Sequence, residues 1–309
     1  MAWLIRLGCL LPFFLCCPPS SYAQAVPITV TAILSHDAAP YRDVLQGVRQ
    51  AFAAHRLDIA LDVHVIEENV DKISVKEAAL SAKPQAVLSL GSLATEFAVS
   101  QLPELPLCAG LIVDRSVLGS PVKATASTLK FPLEIEMQWL KKFIGAGKTI
   151  AVLYDRNKNA DDLIDLQHLA RRDGLDIYPL PVDGSADLLD ALKRLPQQTA
   201  AIWSFAESGL LNAQTAKHAL LYSFRNRVPL IGLSSQWTKA GALYSLDRDY
   251  IDIGVQCGEK LLQILNGTPP ERIPIEPPRK VLYSVNLKTL RHMKLEVPEY
   301  LIQGADEVF

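Results

Sequence analysis

The sequence predicts an α/β protein built from two lobes, each a doubly wound parallel sheet. Two observations favour this class. Short apolar runs alternate with helix-length amphipathic segments along the chain, and the alternation occurs twice with a similar plan. Steady alternation of strand and helix is typical of parallel sheets that are covered by helices on both faces. The 309 residues are enough for two domains of ordinary size.

Nine apolar runs have the length and composition of buried strands. They cover residues 28–34, 59–66, 86–90, 106–113, 149–154, 176–182, 200–205, 229–234 and 280–285. Between most of them lie segments with apolar residues at helical spacing. The clearest of these segments cover residues 41–55, 160–173, 215–227 and 250–266.

The repeated plan is clearest in two segments, 86–114 and 200–235. Each has a buried strand, a small polar turn, a helix, a loop with Pro and a second buried strand. We therefore predict two similar lobes, with one crossing between them over 116–131 and another near residues 241–242. Lobe 1 is expected over 26–122, completed by about 242–275. Lobe 2 is expected over 123–241, completed by about 280–309.

The first 25 residues have the plan of a cleaved secretory signal. Arg6 comes early, an apolar core follows over 7–17, and small residues stand at Ala23 and Ala25. No later run approaches the roughly 20 apolar residues that a membrane span requires. A soluble exported protein is expected, and a lipid anchor is disfavoured because neither Cys16 nor Cys17 follows a small residue.

Charge and cysteine content exclude some classes. With 31 basic and 33 acidic residues the chain is nearly neutral, and it has no basic stripe for nucleic acid. Outside the predicted signal the cysteines are Cys108 and Cys257. An oxidising compartment would permit a disulfide between them. Two buried unpaired thiols are the alternative, because free cysteines tend to lie in cores.

Polar and small residues follow the predicted strands. In open parallel sheets ligands bind beyond the carboxyl ends of the strands, where helix N-termini present free amides and partial positive charge. If the lobes face each other, these positions line one cleft. The candidate ligand-binding residues are Ser35, His36, Tyr41, Gly91, Ser92, Thr95, Asp114, Tyr154, Asp155, Ser204, Phe205, Ser234, Ser235 and Trp237. For the serines and threonine, an ordinary helix cap is the alternative role.

Catalytic patterns are weak, so we expect no enzyme, no metal and no cofactor. The fragment GAGKT at 145–149 lacks the first glycine of a phosphate loop and precedes a strand, whereas the motif follows one. The six histidines have no partner at metal-ligand spacing. No G-x-S-x-G elbow supplies a nucleophilic serine.

Three stretches carry a family resemblance: PQAVLSLGSLAT at 84–95, the segment 224–267, and the C-terminal stretch 276–309 with its LKT, VPEYL and ADEV motifs. Together they resemble the periplasmic substrate-binding proteins of ABC transporters, in particular the family that includes binders of aromatic amino acids such as tryptophan. The resemblance implies the type I binding-protein fold, in which two Rossmann-like lobes are joined by three crossovers. It also implies a periplasmic protein, expected to be a monomer, that binds a small molecule and docks on an ABC permease.

The ligand class stays open at this point. Many amino-acid-binding members of that family carry an acidic residue shortly before the AGAL motif, which suits a ligand ammonium group. Here AGAL occupies 240–243 and Ser234 stands at that place, so Asp114 or Asp155 would have to supply the charge. An aromatic or other amino acid is one prediction. A ligand-binding input module for a membrane sensor is an alternative, and an exported enzyme is another.

Overall fold

The computed structural model describes residues 28–66, 71–120, 122–206 and 209–309, so the predicted signal over 1–25 lies outside the described residues. The strands are β1 (Ile28–Leu34), β2 (Ile59–Val65), β3 (Ala86–Leu90), β4 (Leu107–Ile112), β5 (Ala124–Thr128), β6 (Lys148–Tyr154), β7 (Leu175–Pro181), β8 (Thr199–Ser204), β9 (Tyr244–Arg248), β10 (Val281–Val285) and β11 (Glu307–Val308). The helices are α1 (Ala39–Ala54), α2 (Lys72–Ser81), α3 (Ser92–Gln101), α4 (Leu133–Ile144), α5 (Ala160–Arg172), α6 (Leu188–Lys193), α7 (Ala213–Asn226), α8 (Ser235–Ala240), α9 (Tyr250–Leu265), α10 (Leu287–Met293) and α11 (Tyr300–Gln303).

Lobe 1 is a five-stranded parallel sheet in the order β2-β1-β3-β4-β5. Helices α1 and α9 contribute to the hydrophobic cluster on one face, and α2 and α3 contribute to the cluster on the other. Helix α9 approaches α1 so closely that a Cβ on Gly254 would stand 2.1 Å from the carbonyl oxygen of Val44. Glycine is therefore required at this crossing, which fixes α9 to lobe 1.

Lobe 2 contains two three-stranded sheets, β7-β6-β8 and β11-β10-β9. Strand β6 pairs in parallel with β7 and β8, whereas β9 and β10 are antiparallel. Single parallel bridges link Ile202 to Leu230 and Gly232 to Ser245, so residues 230–232 connect the two sheets. The strand predicted over 229–234 is thus reduced to two bridges, and the lobe is not wholly parallel.

The lobe boundaries expected at 122–123 and at 241–242 both lie at other residues in the structure. Strand β5 pairs with β4, so lobe 1 continues to Thr128 and does not end at residue 122. Strand β9 pairs with β10, so residues 244–248 belong to lobe 2, and the return to lobe 1 begins with α9. Glu276 still bridges to Ser127 of β5. In the described part of the chain, three segments therefore cross between the lobes, at 129–132, at 249 and at 277–280.

The two cysteines outside the predicted signal lie side by side in the core of lobe 1 as free thiols. The Cys108 thiol donates to the carbonyl oxygen of Cys257 at 3.8 Å, and the Cys257 thiol donates to that of Ala109 at 3.9 Å. The hydrogen bond with Cys257 and burial raise the pKa of Cys108 well above its usual value. The disulfide is not formed, and the pair of buried thiols is what the structure shows.

No helix in the described ranges combines the length and the apolar character that a membrane crossing demands.

Candidate ligand-binding cleft

A cavity of about 1120 Å³ opens between the two lobes, beside the first crossover. It is lined by Ser92, Val113, Asp114, Arg115, Thr128, Lys130, Phe131, Pro132, Leu133, Asn157, Lys158, Asn159, Asp162, Ala206 and Pro277. A smaller cavity of about 60 Å³ adjoins it and shares Lys130, Phe131 and Leu133 with it. Since both lobes and the crossover contribute walls, the cleft can enclose a small molecule when the lobes approach each other.

The lobe 1 wall includes the N-terminus of α3. Gly91 has φ +87°, and a Cβ there would stand 2.6 Å from Ser35 Oγ and 2.9 Å from the Tyr41 hydroxyl. Ser35 Oγ in turn accepts a hydrogen bond from the backbone N–H of Ala94 at 2.9 Å. Because these contacts fix the turn, Ser92 is exposed at the cavity as the first residue of the helix.

Thr95 holds the same turn from inside the lobe. Its side chain is fully buried, and its hydroxyl donates to the carbonyl oxygen of Gly91 at 2.8 Å and lies 2.9 Å from Ser89 Oγ. Next to the turn, the rings of His36 and Tyr41 pack edge to face with centroids 5.9 Å apart. Partial burial raises the pKa of Tyr41. These three residues support the turn and do not line either cavity.

The first crossover forms part of the base of the cleft. The Lys130 ammonium donates to Asp162 Oδ2 at 2.8 Å, which ties the crossover to the first turn of α5. The next residue, Phe131, is 3% exposed and packs into the main core of lobe 2. A charged side chain on one side and a core aromatic on the other therefore hold this segment of backbone.

The lobe 2 wall begins at a turn after β6. Asp155 Oδ1 accepts from the backbone N–H of Asn157 at 2.8 Å, and the Asp155 carbonyl accepts from that of Asn159 at 2.9 Å. The turn places Asn157 and Lys158 at the cavity. Asp155 thus shapes the turn, while Tyr154 packs against the core of lobe 2.

The end of β8 lines the smaller cavity. Ser204 and Phe205 are almost fully buried there, and the ring of Phe205 packs edge to face on Trp203 with centroids 4.8 Å apart. Arg248, the last residue of β9, lines the same cavity. Its Nε donates to the carbonyl oxygen of Leu129 at 2.8 Å, and its Cζ lies 4.8 Å from the ring centroid of Phe131.

Asp114 lies at the lobe 1 side of the larger cavity. Its Oδ1 accepts from the backbone N–H of Ser116 at 2.8 Å, and hydrogen bonds from Ser116 lower the pKa of the carboxyl group. The group is exposed and therefore presents a negative charge at neutral pH. Of the two predicted acidic residues, Asp114 lines the cleft and Asp155 does not.

Helix α8 and Ser234, the residue before it, do not line either cavity. Ser234 precedes α8 with no side-chain capping bond, and the backbone N–H of Ser235 donates to Asp247 Oδ2 at 3.5 Å. Trp237 packs against the second hydrophobic cluster of lobe 2. None of the three lines the cavities.

Four of the residues predicted at strand ends line the cleft: Ser92, Asp114, Ser204 and Phe205. Arg248 and the crossover residues 128–133 were not predicted. The signal for the crossover was present in the sequence, since ATAST at 124–128 is a strand and the residues after it stand at its carboxyl end. Within the described ranges, no group of three or more His, Cys, Asp and Glu side chains is arranged to hold a metal ion.

Comparison with known proteins supports this architecture. Residues 27–309 match the family model described as ABC transporter substrate binding protein. The chain is similar to a solved "ABC domain in complex with L-Trp" from Streptococcus pneumonia, with a TM-score of 0.64, 16% identity, and coverage of 92% of this chain and 100% of that one. It is also similar to the ligand-free, open structure of a substrate binding protein with adhesive properties from Clostridium difficile, with a TM-score of 0.73, 16% identity, and coverage of 91% and 99%.

A curated relative is a tyrosine-binding protein from Clostridioides difficile (strain R20291), which is 20% identical over 193 residues. The match spans 62% of this chain and 55% of the relative, so just over half of that relative's length is covered. The solved structures confirm the expected type I periplasmic binding protein fold. Because the family model matches nearly all of the chain, the protein belongs to the family of ABC transporter substrate-binding proteins.

Proposed function

We propose that the protein captures a small solute in the cleft between its lobes and presents it to an ABC importer. The observation that carries the proposal is the open cavity of about 1120 Å³, whose walls come from lobe 1, lobe 2 and the first crossover. Membership of a family of binding proteins supports it. We further propose that the protein is exported to the periplasm, acts as a monomer and releases its ligand chemically unchanged.

The binding step is a closure of the two lobes about the three crossovers. An open and a closed state of such a hinge differ by a few kcal/mol, and a ligand that contacts both walls only in the closed state shifts the population toward it. Ser92 and Asp114 lie on one wall, and Asn157 and Lys158 lie on the other. The closed form would then be the form that a permease recognises.

An amino acid is the ligand class that this cleft supports best. Asp114 offers a counter-ion to an ammonium group, and the N-terminus of α3 offers backbone amides to other polar groups of the ligand. Two of the similar proteins, the tyrosine-binding protein and the L-Trp complex, support the same class.

A bulky substitution at Ser92 tests the site. We expect Ser92→Trp to fill the cavity and abolish the rise in melting temperature that L-tyrosine or L-tryptophan produces in the wild type, because Ser92 is exposed at the cleft. Ser100→Trp is the matched control, since Ser100 is an exposed residue of the same helix that does not line the cavity. Differential scanning fluorimetry with and without ligand gives both readouts. Unchanged binding by Ser92→Trp would remove this wall from the site.

A further inference from the structure

Arg248 combines three features that the proposed function leaves unexplained. It ends β9, directly before the second crossover, and it is half-buried beside the smaller cavity. It also reaches the first crossover, because its Nε donates to the carbonyl oxygen of Leu129 at 2.8 Å. A cationic side chain is therefore built into the place where the lobes join.

The guanidinium group is held in one orientation. The hydrogen bond to Leu129 fixes its Nε, and the ring of Phe131, with its centroid 4.8 Å from Cζ, supports it from one face. Phe131 is itself fixed in the core of lobe 2. An arginine that is already ordered loses little side-chain entropy when it binds a partner, and its planar fork matches the two oxygens of a carboxylate.

The terminal nitrogens of Arg248 have no counter-ion among the residues that the structure describes. The ion pairs in that part of the chain include Lys130 with Asp162 at this cleft, but none includes Arg248. Glu136 lines the same cavity without forming an ion pair to Arg248. A guanidinium has five N–H donors, and its hydrogen bonds to an anionic partner are about twice as strong as those between neutral groups.

We propose that Arg248 binds the carboxylate of the ligand and so selects small organic acids, amino acids included, over uncharged solutes. The inference rests on the proposed function, since it assigns a residue and a ligand class to the same cleft. Apolar side chains line the same small cavity as Arg248, among them Phe205, Leu233 and Leu133, and exclusion of water by such groups strengthens a charged hydrogen bond. The same residues offer contact area to an apolar ligand side chain.

Because Arg248 touches both the first and the second crossover, the bound carboxylate would lie where the hinge bends. A ligand bound at this point would act directly on the first and second crossovers, the two segments whose backbone dihedral angles change on closure. The α3 N-terminus and Asp114 remain available for the other polar groups of the ligand.

The test compares matched acids and amides. Isothermal titration of the wild type, Arg248→Gln and Arg248→Lys uses L-tyrosine, L-tryptophan and L-leucine, their carboxamides, and D-ribose as an uncharged solute. We expect Arg248→Gln to bind the acids about tenfold to a hundredfold more weakly and to lose the preference for acid over amide, because charged hydrogen bonds are about twice as strong as neutral ones. Arg248→Lys should recover part of the preference. Arg272→Gln, the same change at an exposed site outside the cleft, should have no effect.

The outcomes separate the two proposals. Equal acid binding by wild type and Arg248→Gln, or an equal loss for acid and amide, would overturn the inference, since a purely structural arginine affects both ligands alike. Binding of D-ribose but of no acid by the wild type would overturn the inference and leave the proposed function standing. If no compound binds the wild type, both proposals fail.

Discussion

Gly91 and Gly145 adopt nearly the same backbone conformation in opposite surroundings. Gly91 has φ 87° and ψ 165°, and Gly145 has φ 85° and ψ 167°. This region is essentially restricted to glycine, and other residues there cost about 1–3 kcal/mol. A Cβ on Gly91 would collide with Ser35 Oγ at 2.6 Å, whereas a Cβ on Gly145 would meet no atom within 4 Å. Alanine substitutions at these two glycines therefore separate the cost of backbone strain from the cost of steric collision.

We expect Gly91→Ala to lower the free energy of unfolding by more than Gly145→Ala does. Both variants carry the backbone strain, but Gly91→Ala also displaces Ser35 and breaks its hydrogen bond from Ala94, which adds about 1 kcal/mol or more. Urea denaturation followed by circular dichroism measures both changes. Equal destabilisation would show that the turn before Ser92 is not tightly packed.

At the residue scale, sequence patterns predicted cleft-lining residues only at the ends of parallel strands. Ser92 and Ser204 stand at such strand ends and were predicted. Arg248 ends an antiparallel strand, β9, whose pairing with β10 depends on residues more than 30 positions away. Patterns among neighbouring residues do not reveal this pairing, so Arg248 could not be assigned to the cleft from the sequence.

At the scale of elements, the start of α9 is fixed by a contact across two crossovers. Asp249 caps the helix, with its Oδ1 accepting from the backbone N–H of Asp252 at 2.9 Å. Its Oδ2 accepts from the Lys280 ammonium at 3.1 Å. Burial raises the pKa of Asp249, but the hydrogen bonds from Asp252 and Lys280 outweigh it and leave that pKa below its usual value.

Asp249→Ala should lower the free energy of unfolding at pH 7 by about 1 kcal/mol, the usual worth of a helix cap. Asp249→Asn should cost less because an amide oxygen still caps the helix. Since the folded-state pKa of Asp249 is lowered, the charge stabilises the protein above the unfolded-state pKa of about 3.9, and this contribution is lost as the pH falls through the folded-state value.

The difference between wild type and Asp249→Asn should therefore be present at pH 7 and shrink at pH 3. Urea titrations at both pH values measure it. A difference that is the same at the two pH values would show that the carboxylate charge does not stabilise this end of α9.

Most strands were predicted from the pattern of apolar residues, and β5 shows why one of them was missed. Strands β1 and β3 have the predicted bounds. Strand β5, with the sequence ATAST, was predicted to be part of the crossing over 116–131. Its polar side chains are nonetheless buried, since Thr125 and Thr128 donate to the carbonyl oxygens of Pro274 and Glu276. These partners lie almost 150 residues away, so the composition of ATAST could indicate a strand but could not show that it pairs within the sheet of lobe 1.

At the scale of the whole molecule, two lobes meet at three crossovers around a cleft that is open in this structure. The repeated strand and helix plan predicted two lobes, and the family resemblance implied the type I binding-protein fold that the solved structures confirm. The positions of the crossovers could not be predicted from the sequence, because long-range pairing assigns β5 and β9 to their lobes. We propose that this cleft closes on a small solute.

The most direct test is the melting temperature of the protein, freed of bound solutes by unfolding and refolding, against amino acids, aromatic acids, sugars, nucleosides and oxyanions. A ligand at 100 times its dissociation constant stabilises the folded state by about 2.7 kcal/mol, which corresponds to a rise of several degrees. We expect such a rise with amino acids and its loss in Ser92→Trp. No rise with any compound in the panel would contradict the claim that the cleft is a solute-binding site.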